Sequence, residues 1–98
     1  MSEIEKMYME YYVEQDELRR RLDVKHCNEL VEIMKNNLKD AFQNGKTSDN
    51  HYYHDGKYSN KAIECAMRRI KSYGATVEHK RLVGCDPFLA VSFERSHS

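Results

Sequence analysis

Net charge is the first thing this chain lacks: sixteen Lys and Arg meet sixteen Asp and Glu over 98 residues. That balance excludes a polybasic binder whose affinity comes from bulk charge. No apolar run approaches the roughly 20 residues of a membrane span, and no signal peptide is visible at the start. The expectation is a protein of the cytoplasm with no membrane contact. Cysteine is scarce and unpaired in pattern: Cys27, Cys65 and Cys85 are odd in number, widely spaced and free of any C-x-x-C. Such usage fits a reducing, intracellular compartment. Gly45-Lys46-Thr47 resembles the end of a phosphate-binding loop, but Asp40 stands where the motif needs its first Gly. It reads as a helix stop followed by a polar turn.

Long aliphatic side chains are also few. Leu, Ile, Val and Phe total nineteen, although seven Tyr and five Met add surface that can be buried. The chain reads as one small folded domain with a thin core, one that gains stability from a partner or from itself. Residues 3–44 contain no Gly and no Pro and are rich in Glu, Lys, Arg, Leu and Met, which predicts helix, stopped at Asn44-Gly45. Within that run the apolar face changes direction. Ile4, Tyr8, Tyr11, Gln15, Leu18 and Leu22 repeat at spacings of 4, 3, 4, 3 and 4, a heptad seam with Tyr8, Gln15 and Leu22 at a and the others at d. A second seam runs through Cys27, Val31, Met34, Leu38 and Ala41, flanked by Leu30 and Phe42, and points well over 90° away. Either the helix breaks near Asp23 into a hairpin, or one long helix serves the core with its second half and another chain with its first. The absence of a breaker between Leu22 and Cys27 favours the long helix.

Residues 45–60 are polar and turn-rich. Asp55-Gly56, between Tyr52-Tyr53-His54 and Lys57-Tyr58, suits either a short aromatic hairpin or an irregular loop. Ser59 or Asn60 caps a second helix over about 60–73, with Ile63, Ala66, Met67 and Ile70 on its apolar face and Gly74 at its end. Residues 75–83 and 88–94 then predict two antiparallel strands around Gly84-Cys85-Asp86-Pro87, with Leu89, Val91 and Phe93 facing Val77 and Ala75. The predicted class is α+β: a long N-terminal helix or helical hairpin, an aromatic hairpin or loop, a second helix and a C-terminal antiparallel β-hairpin. Residues 1–23 form a helical association segment in this scheme, and residues 24–98 a globular core.

Candidate chemistry is thin. His51, His54 and Asp55, with Asp49 nearby, offer about two converging ligands where a closed metal site needs three or four. Cys27 packs as a small hydrophobe, Cys65 flanks the apolar arc of its helix, and Cys85 lies exposed in a turn with no activating base forced near it. The expectations are therefore no catalysis, no cofactor, no metal and no small-molecule substrate. The sharpest signal is the seam of Ile4, Tyr8, Tyr11, Leu18 and Leu22, which predicts contact with a protein partner or with a second copy as a homodimer; its alternative is packing within the chain. Tyr52 and Tyr53 form a second candidate contact surface, or else cover the core. Charge divides unevenly: residues 1–45 carry 7 basic and 10 acidic groups, residues 46–98 carry 9 and 6. Arg68, Arg69, Lys71, Lys80 and Arg81 make nucleic-acid binding the second functional reading, against the solvated face of an amphipathic helix. In style the chain resembles small accessory proteins of phages and large DNA viruses, a likeness that no motif carries and that assigns no function.

Overall fold

The run without Gly or Pro forms one unbroken helix. In the computed structural model, which describes residues 2–94, α1 spans Glu3–Gln43. No break occurs at Asp23, so the hairpin alternative is set aside; the Asp23 carboxylate instead accepts the Ser59 hydroxyl at 2.5 Å. Ser2 caps the start by accepting the Glu5 N–H at 3.2 Å, and Glu3 and Glu5 in the first turn suit the positive end of the helix dipole. At 1.5 Å per residue the 41-residue helix is about 61 Å long. It accounts for nearly all of the molecule's 65 Å longest extent.

Both helices stop on glycine, as the sequence predicts. Gly45 adopts φ 73°, its N–H donates to the Phe42 carbonyl, and the Lys46 N–H reaches back to the Ala41 carbonyl at 2.8 Å. Gly74, at φ 96°, ends α2 (Asn60–Ser72) in the same way, with Ala75 N–H donating to the Ile70 carbonyl. These paired bonds satisfy carbonyls that a helix end leaves open, and the left-handed residue they require is one at which a Cβ is strained. The start of α2 is capped by the Ser59 hydroxyl, which accepts from Ala62 N–H.

Three strands complete the fold: β1 (Ser48–Tyr52), β2 (Thr76–Lys80) and β3 (Phe88–Ser92). The sheet order is β1-β3-β2, antiparallel at both junctions. The predicted β2–β3 hairpin is present, with Val77 opposite Val91 and both buried. Of the two alternatives for the aromatic segment the loop is the one found: residues 53–59 form a turn, closed by Lys57 N–H on the His54 carbonyl, and Tyr52 ends a strand that pairs with β3. Since β1 and β2 flank β3 and run parallel to each other, with α2 between them in sequence, the unit is a split β-α-β. Both helices cover one face of the sheet.

The core lies between that face and the helices. Cys27, Leu30, Val31, Met34 and Leu38 of α1 meet Ile63, Ala66 and Ile70 of α2 and Val77, Leu89 and Val91 of the sheet. The second seam is thus a core face. Phe93 departs from the expected inward row: it lies past the end of β3, is part-exposed, and packs edge-on against Phe42 at 6.0 Å.

Candidate association surface

The first half of α1 contributes nothing to the core among the described residues. The earliest buried residue along the helix is Cys27, and before it the seam residues Ile4, Tyr8, Tyr11, Leu18 and Leu22 are between 49% and 78% exposed. Gln15, in the same row, is half-buried. From Asp16 to His26 the helix borders the 56–61 turn across a polar cleft, while residues 3–15 extend beyond it as a free arm. At about 100° per residue the seam lies about 130° round the helix from the core face. Residues on the seam therefore cannot turn toward the core without rotating Leu30 and Met34 out of it. Among the described residues only the end of the seam, at Leu22, borders another part of the chain, the 56–61 turn.

A second exposed stripe escaped the heptad reading. Met9, Tyr12 and Val13 lie in line with the core face, about four to five turns before Cys27, and are 50–58% exposed. Tyr12 joins the two stripes, its ring 4.5 Å from Tyr8 and 5.8 Å from Tyr11 between centroids. The signal for this stripe was present in the sequence as the core periodicity continued backward through Arg20 and Asp16, and those charges masked it.

The aromatic segment divides between surface and core. Tyr52 is exposed on the outer face of the sheet, its ring tilted by 36° against that of its cross-strand partner Phe88, 4.8 Å between centroids. Tyr53 is a correction to the expected contact surface: it is buried, and its hydroxyl bonds to His79 Nε2. Tyr58 is buried as well, edge-on to Tyr53 at 5.3 Å and to His26 at 5.0 Å. In a domain short of aliphatics, these two tyrosines fill the core end nearest the arm.

The five basic residues do not share one surface. Arg69 turns toward α1, donating to Asn28 Oδ1 at 2.5 Å and approaching Cys27 Sγ at 3.9 Å. Arg81 pairs with Asp55 at 3.3 Å. Lys80 pairs with Glu78 at 3.5 Å, and its register with Phe88 places it on the face of the sheet opposite α2. Arg68 and Lys71 remain on the solvent side of α2, beside Glu64. Of the metal candidates, His51 is half-buried on β1 and His54 is exposed, and among the described residues no three His, Cys, Asp or Glu side chains gather as a metal site would require. Nor, among them, is any helix long and apolar enough to cross a membrane.

Fold and surface together define a small α+β core carrying a helical arm with exposed apolar stripes among the described residues. No family model, no curated protein and no solved structure matches this chain.

Proposed function

We propose that this protein is a non-enzymatic association module whose arm pairs with the arm of a second copy. The observation that carries this reading is the exposed seam. A helix of about 20 residues that no described element of the core packs against is marginal in water, and its Tyr and Val residues are weak helix formers. An exposed apolar stripe on such a helix, interrupted only by Gln15, is an interaction surface.

Charge and size both favour an antiparallel pairing of two copies. With Ile4 set opposite Leu22 of the second copy, Tyr8 meets Leu18 and Tyr11 meets Gln15, so each tyrosine faces a smaller side chain and its hydroxyl reaches the edge of the seam. The same register brings Glu5 beside Arg19 twice, and opposes the two helix dipoles. A parallel pairing stacks Tyr8 on Tyr8 and Tyr11 on Tyr11, which crowds the seam. Nucleic-acid binding is the weaker reading, because Arg69, Arg81 and Lys80 are turned to partners of their own.

Light scattering on a sizing column tests the pairing. The expected mass is twice 11.6 kDa for the full chain, falling to one copy for Leu18→Asp, with the cooperative melt of the core retained. A monomeric parent chain, or an unchanged dimer in the folded variant, overturns the reading.

A further inference from the structure

Two of the three cysteines meet where the arm enters the core. Cys27 is the first buried residue of α1, and its thiol points at the Cys65 sulfur of α2, 2.6 Å away. Cys85 is exposed in the β2–β3 loop, away from both. We propose that Cys27 and Cys65 form a dithiol–disulfide couple that staples α2 to the root of the arm. The sequence conceals this pair, since the two residues are 38 positions apart and sit on separate helices.

The surroundings assign the two sulfurs different parts. Cys65 is half-buried and reachable from solvent, whereas Cys27 is 2% exposed. A low-molecular-weight disulfide such as oxidised glutathione is thus attacked by the Cys65 thiolate, which forms a mixed disulfide and releases one glutathione thiol. The Cys27 thiolate then attacks Cys65 Sγ and expels the second glutathione. One S–S bond is formed in the protein as one is broken in the small molecule. The two electrons reduce the glutathione disulfide, and the two thiol protons leave on the released glutathiones. Burial raises the Cys27 pKa and slows the second step, while the Arg69 guanidinium beside its sulfur lowers it and supports the thiolate.

The pair is distinguishable from two cysteines that merely pack. Full-length protein incubated with oxidised glutathione without air is expected to lose two of its three thiols and roughly 2 Da of its own mass, with peptides carrying Cys27 and Cys65 linked. Its Tm should rise by roughly 15 °C and return on addition of dithiothreitol. Cys65→Ser, at a half-buried position that tolerates a polar atom, should stay folded, keep Cys27 unreactive and show no such rise. Cys85→Ser should behave as the parent chain does. Stable glutathione adducts on Cys65 without the internal link overturn the proposal. So does an oxidant that modifies Cys85 and leaves Cys27 and Cys65 free.

Discussion

His51 is the residue whose position is hardest to reconcile with its chemistry. It faces inward from β1 opposite Leu89, and its Nε2 is buried with no hydrogen-bond partner. Burial, reinforced by Lys57 and opposed by Asp49, holds its pKa below the ordinary 6.5. His79 is also lowered, by burial and then by Arg81, and its Nε2 is hydrogen-bonded to the Tyr53 hydroxyl. Both imidazoles hold a proton less readily in the folded state than in the unfolded chain, where they bind it at their ordinary pKa. The unfolded chain therefore binds more protons below about pH 6.5, and stability rises with pH across that window. Tm should be level above pH 7 and fall by a few degrees toward pH 5.5. His51→Val removes the unpartnered nitrogen and places a β-branched side chain on a strand. It should stabilise by about 1 kcal/mol and reduce the slope, as measured by urea unfolding at pH 7.5 and 5.5. Equal or greater pH dependence in the variant would assign the effect to other groups.

Among the elements, the helices are specified twice and the first strand hardly at all. Gly74 shows how local the helix signal is. No neighbouring atom lies within 4 Å of the space a Cβ would occupy there, so sterics with the rest of the fold are no obstacle. Its φ of 96° is the whole cost. Gly74→Ala should therefore destabilise by about 1 kcal/mol through backbone strain alone, and calorimetry should place its Tm several degrees lower. The helix periodicities, the glycine stops and the β2–β3 alternation are short-range, and each was legible in the sequence. β1 was not, because the residues it turns inward are Asp49 and His51, with the first apolar one, Tyr53, past its end. It is a strand by virtue of β3, which offers a free edge. Polar inward positions on an edge strand also make it a poor template for another chain. Half of the candidate surface was legible for the same reason. A heptad repeat is a local pattern, whereas the stripe of Met9, Tyr12 and Val13 is recognised only once the core is seen to end at Cys27. The Cys27–Cys65 contact depends on how α1 and α2 cross, which no local pattern encodes.

At the scale of the whole molecule, α1 belongs to two structures. Residues from Asp23 onward are held by the core and by the contacts of Asp23 with Ser59 and His26 with Tyr58; the 20 or so before them gain little from the fold beyond continuity with a formed helix. Continuity removes the nucleation cost but leaves each added turn near equilibrium with coil, so the arm frays from Ser2 inward unless something covers it. The association proposed for the arm is then a folding reaction as well as a binding one. Helix content should depend on concentration, which no rigid monomer allows. On dilution from about 100 μM to well below the dimer's Kd, the mean-residue ellipticity at 222 nm should lose up to about a third, the arm's share of the 41 and 13 helical residues. The melt of the core should persist throughout. Leu18→Asp should show the low value at every concentration, because it removes the partner and leaves the core untouched. An ellipticity independent of dilution, in a chain that light scattering finds monomeric, would mean that the arm's own side-chain pairs, Tyr8–Tyr12 first among them, hold it without a second copy. A dimer with the same helix content at all concentrations would instead mean an arm folded before it pairs, with faster association and a smaller entropic opposition to it.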